Sequence, residues 1–87
     1  MASLLVAEKA AACVTISSSV TSFYRWQGKV EQEEEVILII KTIEDNYQKV
    51  ESTIKENHHY DVPEIIALPI NLGEKSYLKW IKENTEI

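Results

Sequence analysis

The sequence predicts an α+β fold, three short helices on a small antiparallel sheet, from three observations. Helical and strand-like segments follow one another as α-β-β-α-β-α, an order that sets helices against a sheet. Two strand-like runs flank a Gln-Gly pair within SFYRWQGKVEQEEEVILIIKT, Ser22 to Thr42, the pattern of a long β-hairpin. The chain has 87 residues, 45% hydrophobic and 26% charged, enough for one domain over 1–87 but near the size where cores become marginal.

Each element has its own signal. Residues 2–12 are Ala-rich, and Leu4, Ala7 and Ala11 recur at helical spacing, so a first helix is expected there. From Val14 the preference turns to strand, carried by Thr15, Ile16, Val20, Thr21, Phe23, Tyr24 and Trp26. Ser17-Ser18-Ser19 interrupts this run and marks a bulge or bend. Past Gln27-Gly28 a second long strand is expected from Lys29 to Ile43, polar at first and continuously apolar from Val36 to Ile40. Asp45 or Thr42 is the expected cap of the next helix, whose apolar stripe is Tyr47, Val50 and Ile54 and which Asn57-His58-His59 closes. DVPEIIALPI reads as a short strand framed by Pro63 and Pro69. A last helix follows Asn71-Leu72-Gly73, with Tyr77 and Ile81 one turn apart and Leu78 and Trp80 beside them.

Charge and composition exclude several functions. Nine basic residues against 14 acidic ones give a net charge of −5, which argues against nucleic acid or anionic membrane as partners. No apolar run approaches the roughly 20 residues of a membrane span. MASLLVAEKAAACV lacks a basic leader and is broken by Glu8 and Lys9, so it reads as helix rather than signal peptide. The single Cys13 has no partner for an internal disulfide, which suits a reducing compartment, and a cytoplasmic location is expected. Gly28 and Gly73 are the only glycines, too few for a phosphate-cradling loop. Ser17-Ser18-Ser19 has no histidine near it in sequence, and nothing in the Ala-rich surroundings of Cys13 activates its thiol toward His58. The chain is therefore expected not to be an enzyme.

The hairpin is long for so small a chain. Each strand has room for about 13 residues, roughly 43 Å at 3.3 Å per residue, so the ribbon must overhang what three short helices can cover. The Val36–Ile40 run lacks polar alternation, and both of its faces need burial. A second copy of the chain is the economical cover for the other face and for the strand edges, so self-association is expected.

Four blocks carry a resemblance: AACVTI at 11–16, the hairpin at 22–42, HHYDVPEIIALPI at 58–70 and YLKWI at 77–81. Over about Leu4 to Asn84 the chain is similar to the CutA family of divalent-cation tolerance proteins. That resemblance implies a ferredoxin-like, PII-like α/β sandwich assembled as a homotrimer, with hairpin strands pairing between subunits. It assigns Tyr24, Trp26, Val36, Leu38 and Ile40 to the subunit interface. Family members normally begin with a β-strand and an acidic loop, which this N-terminally short chain lacks. That strand is central in the family's sheet, so the chain is expected to re-pair, to borrow a strand, or to belong to a longer protein.

The resemblance also implies copper or another divalent cation as a bound ion, with no cofactor required. The candidate metal ligands are His58, His59 and Glu35, and the cleft residues are Tyr60, Glu64, Glu31 and Glu33. Structural alternatives stand beside them. A histidine at a helix C-terminus is favoured by the helix dipole, and alternating glutamates at 31, 33 and 35 solvate a strand face and discourage edge aggregation. No close-spaced Cys or His set suggests a closed zinc site. The competing reading is a structural or signalling trimer that anchors a partner protein, without a direct role for metal.

Overall fold

The computed structural model describes residues 1–59 and 62–85. It is of the α+β class, with helices α1 (Ala2–Ala7), α2 (Tyr47–Asn57) and α3 (Lys75–Glu83) and strands β1 (Cys13–Ile16), β2 (Val20–Trp26), β3 (Lys29–Glu35) and β4 (Leu38–Lys41). All pairing is antiparallel: β1 with β4, and β2 with β3.

The four strands form one long hairpin bent in the middle. Gln27 (φ 50°) and Gly28 (φ 79°) both lie in the left-handed region, as a two-residue turn matched to the twist of its strands requires. This turn sets the register, pairing Trp26 with Lys29, Tyr24 with Glu31 and Ser22 with Glu33. The bend falls at the serines, as the sequence suggests. The Ser17 amide donates to the Ile37 carbonyl (2.9 Å), and the Ile37 amide donates to Ser17 Oγ (2.7 Å). A hydroxyl thus stands in for a backbone acceptor where the ladder is interrupted. The expected continuous strand over Lys29–Ile43 is therefore two pieces, parted at Val36-Ile37 and ending at Lys41.

The core is small and lies at one end of this ribbon. Leu5, Ala10, Ala11, Val50 and Ile54 form it, with Val14 of β1, Ile40 of β4 and Ile65 packed against it. The molecule extends 45 Å along its longest axis and only 26 and 21 Å across, consistent with a β2–β3 ribbon that projects beyond the helices. None of the residues of β2 or β3 is fully buried.

Several expectations are corrected. The first helix stops at Ala7, where Lys9 takes a left-handed φ of 60° and the amides of Ala10 and Ala11 both fold back onto the Leu5 carbonyl (3.0 and 3.2 Å). This turn brings Leu5 inward with Ala10 and Ala11, whereas Leu4 and Ala7 of the expected stripe face solvent. Neither Asp45 nor Thr42 caps α2. A 3₁₀ turn over Glu44–Asn46 leads into it, Asn46 is its first flanking residue, and Thr42 Oγ1 donates instead to the Ala10 carbonyl (2.6 Å). The expected strand over 62–70 does not form: its backbone pairs with none of the four strands, although each of them keeps an unpaired edge. Only one face of the Val36–Ile40 run is covered: Leu38 and Ile40 are half-buried, while Val36, Ile37 and Ile39 are each at least half exposed. In α2, Val50 and Ile54 are buried as expected, and in α3 Ile81 alone is.

Asn46 ties the separate parts together. Its buried Nδ2 donates to the carbonyls of Lys9 (3.1 Å), Ala10 (3.3 Å) and Thr85 (2.7 Å). An amide nitrogen has two hydrogens, so one is shared between the Lys9 and Ala10 oxygens and the other serves Thr85. Asn46→Asp puts an acceptor among three carbonyls. It is expected to cost on the order of 1–3 kcal/mol or more, read as a lower urea midpoint with an unchanged slope.

Helix α3 is capped by Glu74, whose carboxylate accepts from the amides of Ser76 (3.0 Å) and Tyr77 (2.8 Å). These bonds, that from Ser76 first, hold its pKa below the ordinary 4.5. A carboxylate whose pKa is lowered by folding stabilises the fold above its unfolded pKa, and that stabilisation is lost as pH falls through the folded value. The thermal midpoint of the wild type should therefore exceed that of Glu74→Ala at neutral pH, and the difference should close as pH drops below 4.5.

Candidate functional site

The two-residue turn decides which side chains share a face of the ribbon. Directly opposed residues lie on one side and alternate along each strand. One face therefore carries Ser22 with Glu33, Tyr24 with Glu31, Val20 with Glu35 and Trp26 with Lys29. The reverse face carries Thr21 with Glu34 and Arg25 with Val30.

A groove of about 800 Å³ runs along the first face. Its floor includes Tyr24, Trp26 and the three glutamates at 31, 33 and 35, and the segment that leaves α2 supplies its wall through His59, Val62 and Glu64. Four carboxylates thus share one concavity with three aromatic rings, of Phe23, Tyr24 and Trp26, and an imidazole. Lys29, paired with Trp26 at the turn, is the basic residue at the end of that face.

The structure brings together most of the expected site residues. Glu31, Glu33, Glu35, His59 and Glu64 meet in the groove, and Tyr24 and Trp26, expected at a subunit interface, line it as well. His58 is half-buried at the C-terminal cap of α2, its ring 5.7 Å from that of His59 and tilted by 55°. Tyr60 lies outside the described residues. Of the other expected interface residues, Val36 is exposed (54%), Leu38 is half-buried, and Ile40 packs on the chain's own core. Among the described residues no three His, Cys, Asp or Glu side chains come close enough within one chain to hold a metal ion. Cys13 is half-buried opposite Lys41, its Sγ 4.0 Å from Thr15 Oγ1.

Three groove residues escaped the sequence reading, Ser22, Phe23 and Val62. Ser22 was within reach: counting back from the Gln27-Gly28 turn places it opposite Glu33. Val62 has no such signal, since the path of the chain after α2 is not periodic.

Glu34 is separated from the other glutamates by the pleat. On the reverse face its carboxylate accepts from Thr21 Oγ1 (2.7 Å) and Ser19 Oγ (2.8 Å). These bonds, that of Thr21 foremost, hold its pKa below the ordinary 4.5. Glu34 therefore braces the strand beside the bend and is not part of the acidic groove. Thr21→Val should move the Glu34 titration upward toward 4.5 in a carboxyl-carbon NMR titration, and an unmoved midpoint would assign the shift to another cause.

The chain matches known proteins along nearly its whole length. The family model described as CutA1 divalent ion tolerance protein covers residues 1–84. The divalent-cation tolerance protein CutA of Thermus thermophilus is 47% identical over 85 residues, which are 98% of this chain and 82% of that protein. The chloroplastic protein CutA of Arabidopsis thaliana is 46% identical over 98% of this chain, which spans about half of that longer protein (47%). Among solved structures, the Thermus thermophilus protein superposes with a TM-score of 0.95 at 47% identity, covering 98% of this chain and 82% of the other. The PII-like protein CutA from Nostoc sp. PCC 7120, in apo form, superposes with a TM-score of 0.90 at 32% identity, covering 98% and 83%.

Proposed function

The chain belongs to the CutA1 divalent ion tolerance family, and we propose that it serves divalent-cation tolerance as a cytoplasmic homotrimer binding copper or another divalent cation in clefts between subunits. The observation that carries this reading is the groove itself. It joins His59 and Glu64, distant in sequence, to the face of Glu31, Glu33 and Glu35. Imidazole suits Cu(II), and carboxylates suit hard divalent ions, so the donor types fit. A single chain assembles no set of three such groups among its described residues, and a site completed by a second copy answers that shortage.

Self-association is supported by what one chain leaves bare. Val36, Ile37 and Ile39 are each at least half exposed in the run that should be buried on both faces. The names of the relatives describe tolerance to cations and no reaction, so the proposed role is binding rather than catalysis. The free thiol of Cys13 is suited to a reducing cytoplasm.

A scaffold that anchors a partner protein is the second reading. The observation that favours it is the apolar segment after Glu64, where Ile66, Leu68, Ile70 and Leu72 are 76%, 81%, 74% and 91% exposed.

A native mass spectrum before and after stoichiometric Cu(II) tests both. A three-subunit mass that gains copper in integral steps is expected. His59→Ala should weaken Cu(II) affinity about tenfold, or 1.4 kcal/mol, without changing the subunit count. A trimer that takes up no copper favours the scaffold, and unchanged affinity in the variant removes His59 from the site.

A further inference from the structure

Alternation along β3 spreads the groove's carboxylates out instead of gathering them. Glu31, Glu33 and Glu35 line the groove at every second residue of one strand. Their backbones therefore stand about 6.8 Å apart in succession and about 13.6 Å from first to last. A single hard cation holds its oxygens at about 2.3–2.6 Å, which leaves any two of them no more than about 5 Å apart. Among the described residues no three such groups come close enough to hold a metal ion. The rest of the lining is surface that a bare ion does not use: the rings of Phe23, Tyr24 and Trp26 and the side chain of Val62, all exposed. The groove's volume of about 800 Å³ falls within the range of about 300–1,000 Å³ of small-molecule sites.

We propose that the groove takes a linear polyamine, with successive ammonium groups on Glu31, Glu33 and Glu35 and the methylenes between them against the aromatic rings. This rests on the groove being the chain's ligand site, as read above, and adds an organic class of cation to the divalent ion. Four methylenes separate two ammonium groups by roughly 6 Å at standard bond lengths, close to the carboxylate repeat. Aliphatic amines, like the lysine side chain, are protonated at neutral pH, and each ammonium makes charge-assisted hydrogen bonds to a carboxylate. An ammonium is also drawn to the face of an indole or phenol ring, here Trp26 or Tyr24. Glu64 on the wall supplies a fourth carboxylate, and Lys29, opposite Trp26 at the turn, ends the track with a like charge. Amine and metal draw on the same carboxylates, so each displaces the other.

The test is a calorimetric titration of the full chain with spermidine at about 0.15 M salt, where long-range attraction is screened. Saturable binding of one spermidine per subunit is expected, at least about tenfold tighter than n-butylamine, which has a single ammonium. Among diamines, affinity should rise from two methylenes to four, and a flat series overturns the match to the carboxylate repeat. Glu33→Gln should weaken spermidine about tenfold, whereas Glu34→Gln, which removes the same charge from the reverse face, should change it less than about twofold. Equal losses in the two variants mean attraction to net charge alone and overturn the site, as does the lack of saturable binding at millimolar spermidine. Because a substitution can disturb the ribbon, Trp26 emission is followed in Trp80→Phe, since these two are the chain's tryptophans. The emission should change and saturate with the calorimetric curve, and an unmoved signal overturns the placement. Cu(II) uptake without spermidine binding overturns this proposal and leaves the divalent-cation reading standing. Spermidine binding to a chain that takes up no copper supports it and removes copper from the groove.

Discussion

The amide of Asn46 holds the rest of the structure in place. Its nitrogen lies where three stretches of backbone converge: the turn after α1, the entry to α2 and the end of α3. The buried apolar core is only a handful of side chains, two of them alanines, and it has little surface with which to fix the helices over the ribbon. A buried donor serving three carbonyls supplies what apolar contact does not, a unique relative placement of the segments. Thr42 adds a second tie from β4 to the same turn through the Ala10 carbonyl. Polar ties thus orient the helices, and α2 in turn aims the segment that walls the groove.

The fold was legible where one local rule decides the outcome. The Gln27-Gly28 turn, the bend at Ser17 and the Val50–Ile54 stripe of α2 all follow from short-range chemistry. What could not be read depends on contacts between distant segments. Leu5 replaces Leu4 and Ala7 as the buried residue of α1 because Lys9 adopts a left-handed conformation that tertiary packing must hold. The sequence offers Asp45 or Thr42 as the cap of α2, whereas Asn46 flanks the helix, makes no capping bond and reaches across to three carbonyls. The segment 62–70 has the composition of a strand. A strand is a relation between two backbones, and composition does not say whether the second one is present.

The site divides along the same line. That Glu31, Glu33 and Glu35 share a face follows from alternation alone, and so does the exclusion of Glu34, which Thr21 and Ser19 hold on the other side. Adding His59 and Glu64 to that face requires the path of the chain after α2, which no periodicity in the sequence encodes. His58 and His59 stand in the sequence as separate candidate ligands. The tilt between the rings and the place of His58 at the end of α2 give the two residues different surroundings.

A ribbon that outruns its core imposes a condition on function. Along β2 and β3 the chain covers neither face fully, so side chains that elsewhere would pack are left to form surfaces. Carboxylates on such a face oppose the indiscriminate pairing that exposed strands invite. The same charges repel any copy that approaches groove to groove. In the proposed trimer, an ion site at a subunit junction is assembled only when the subunits are. Metal binding and assembly then share one free energy: a cation that prefers the completed groove strengthens the association, and the association raises affinity for the cation by the same factor.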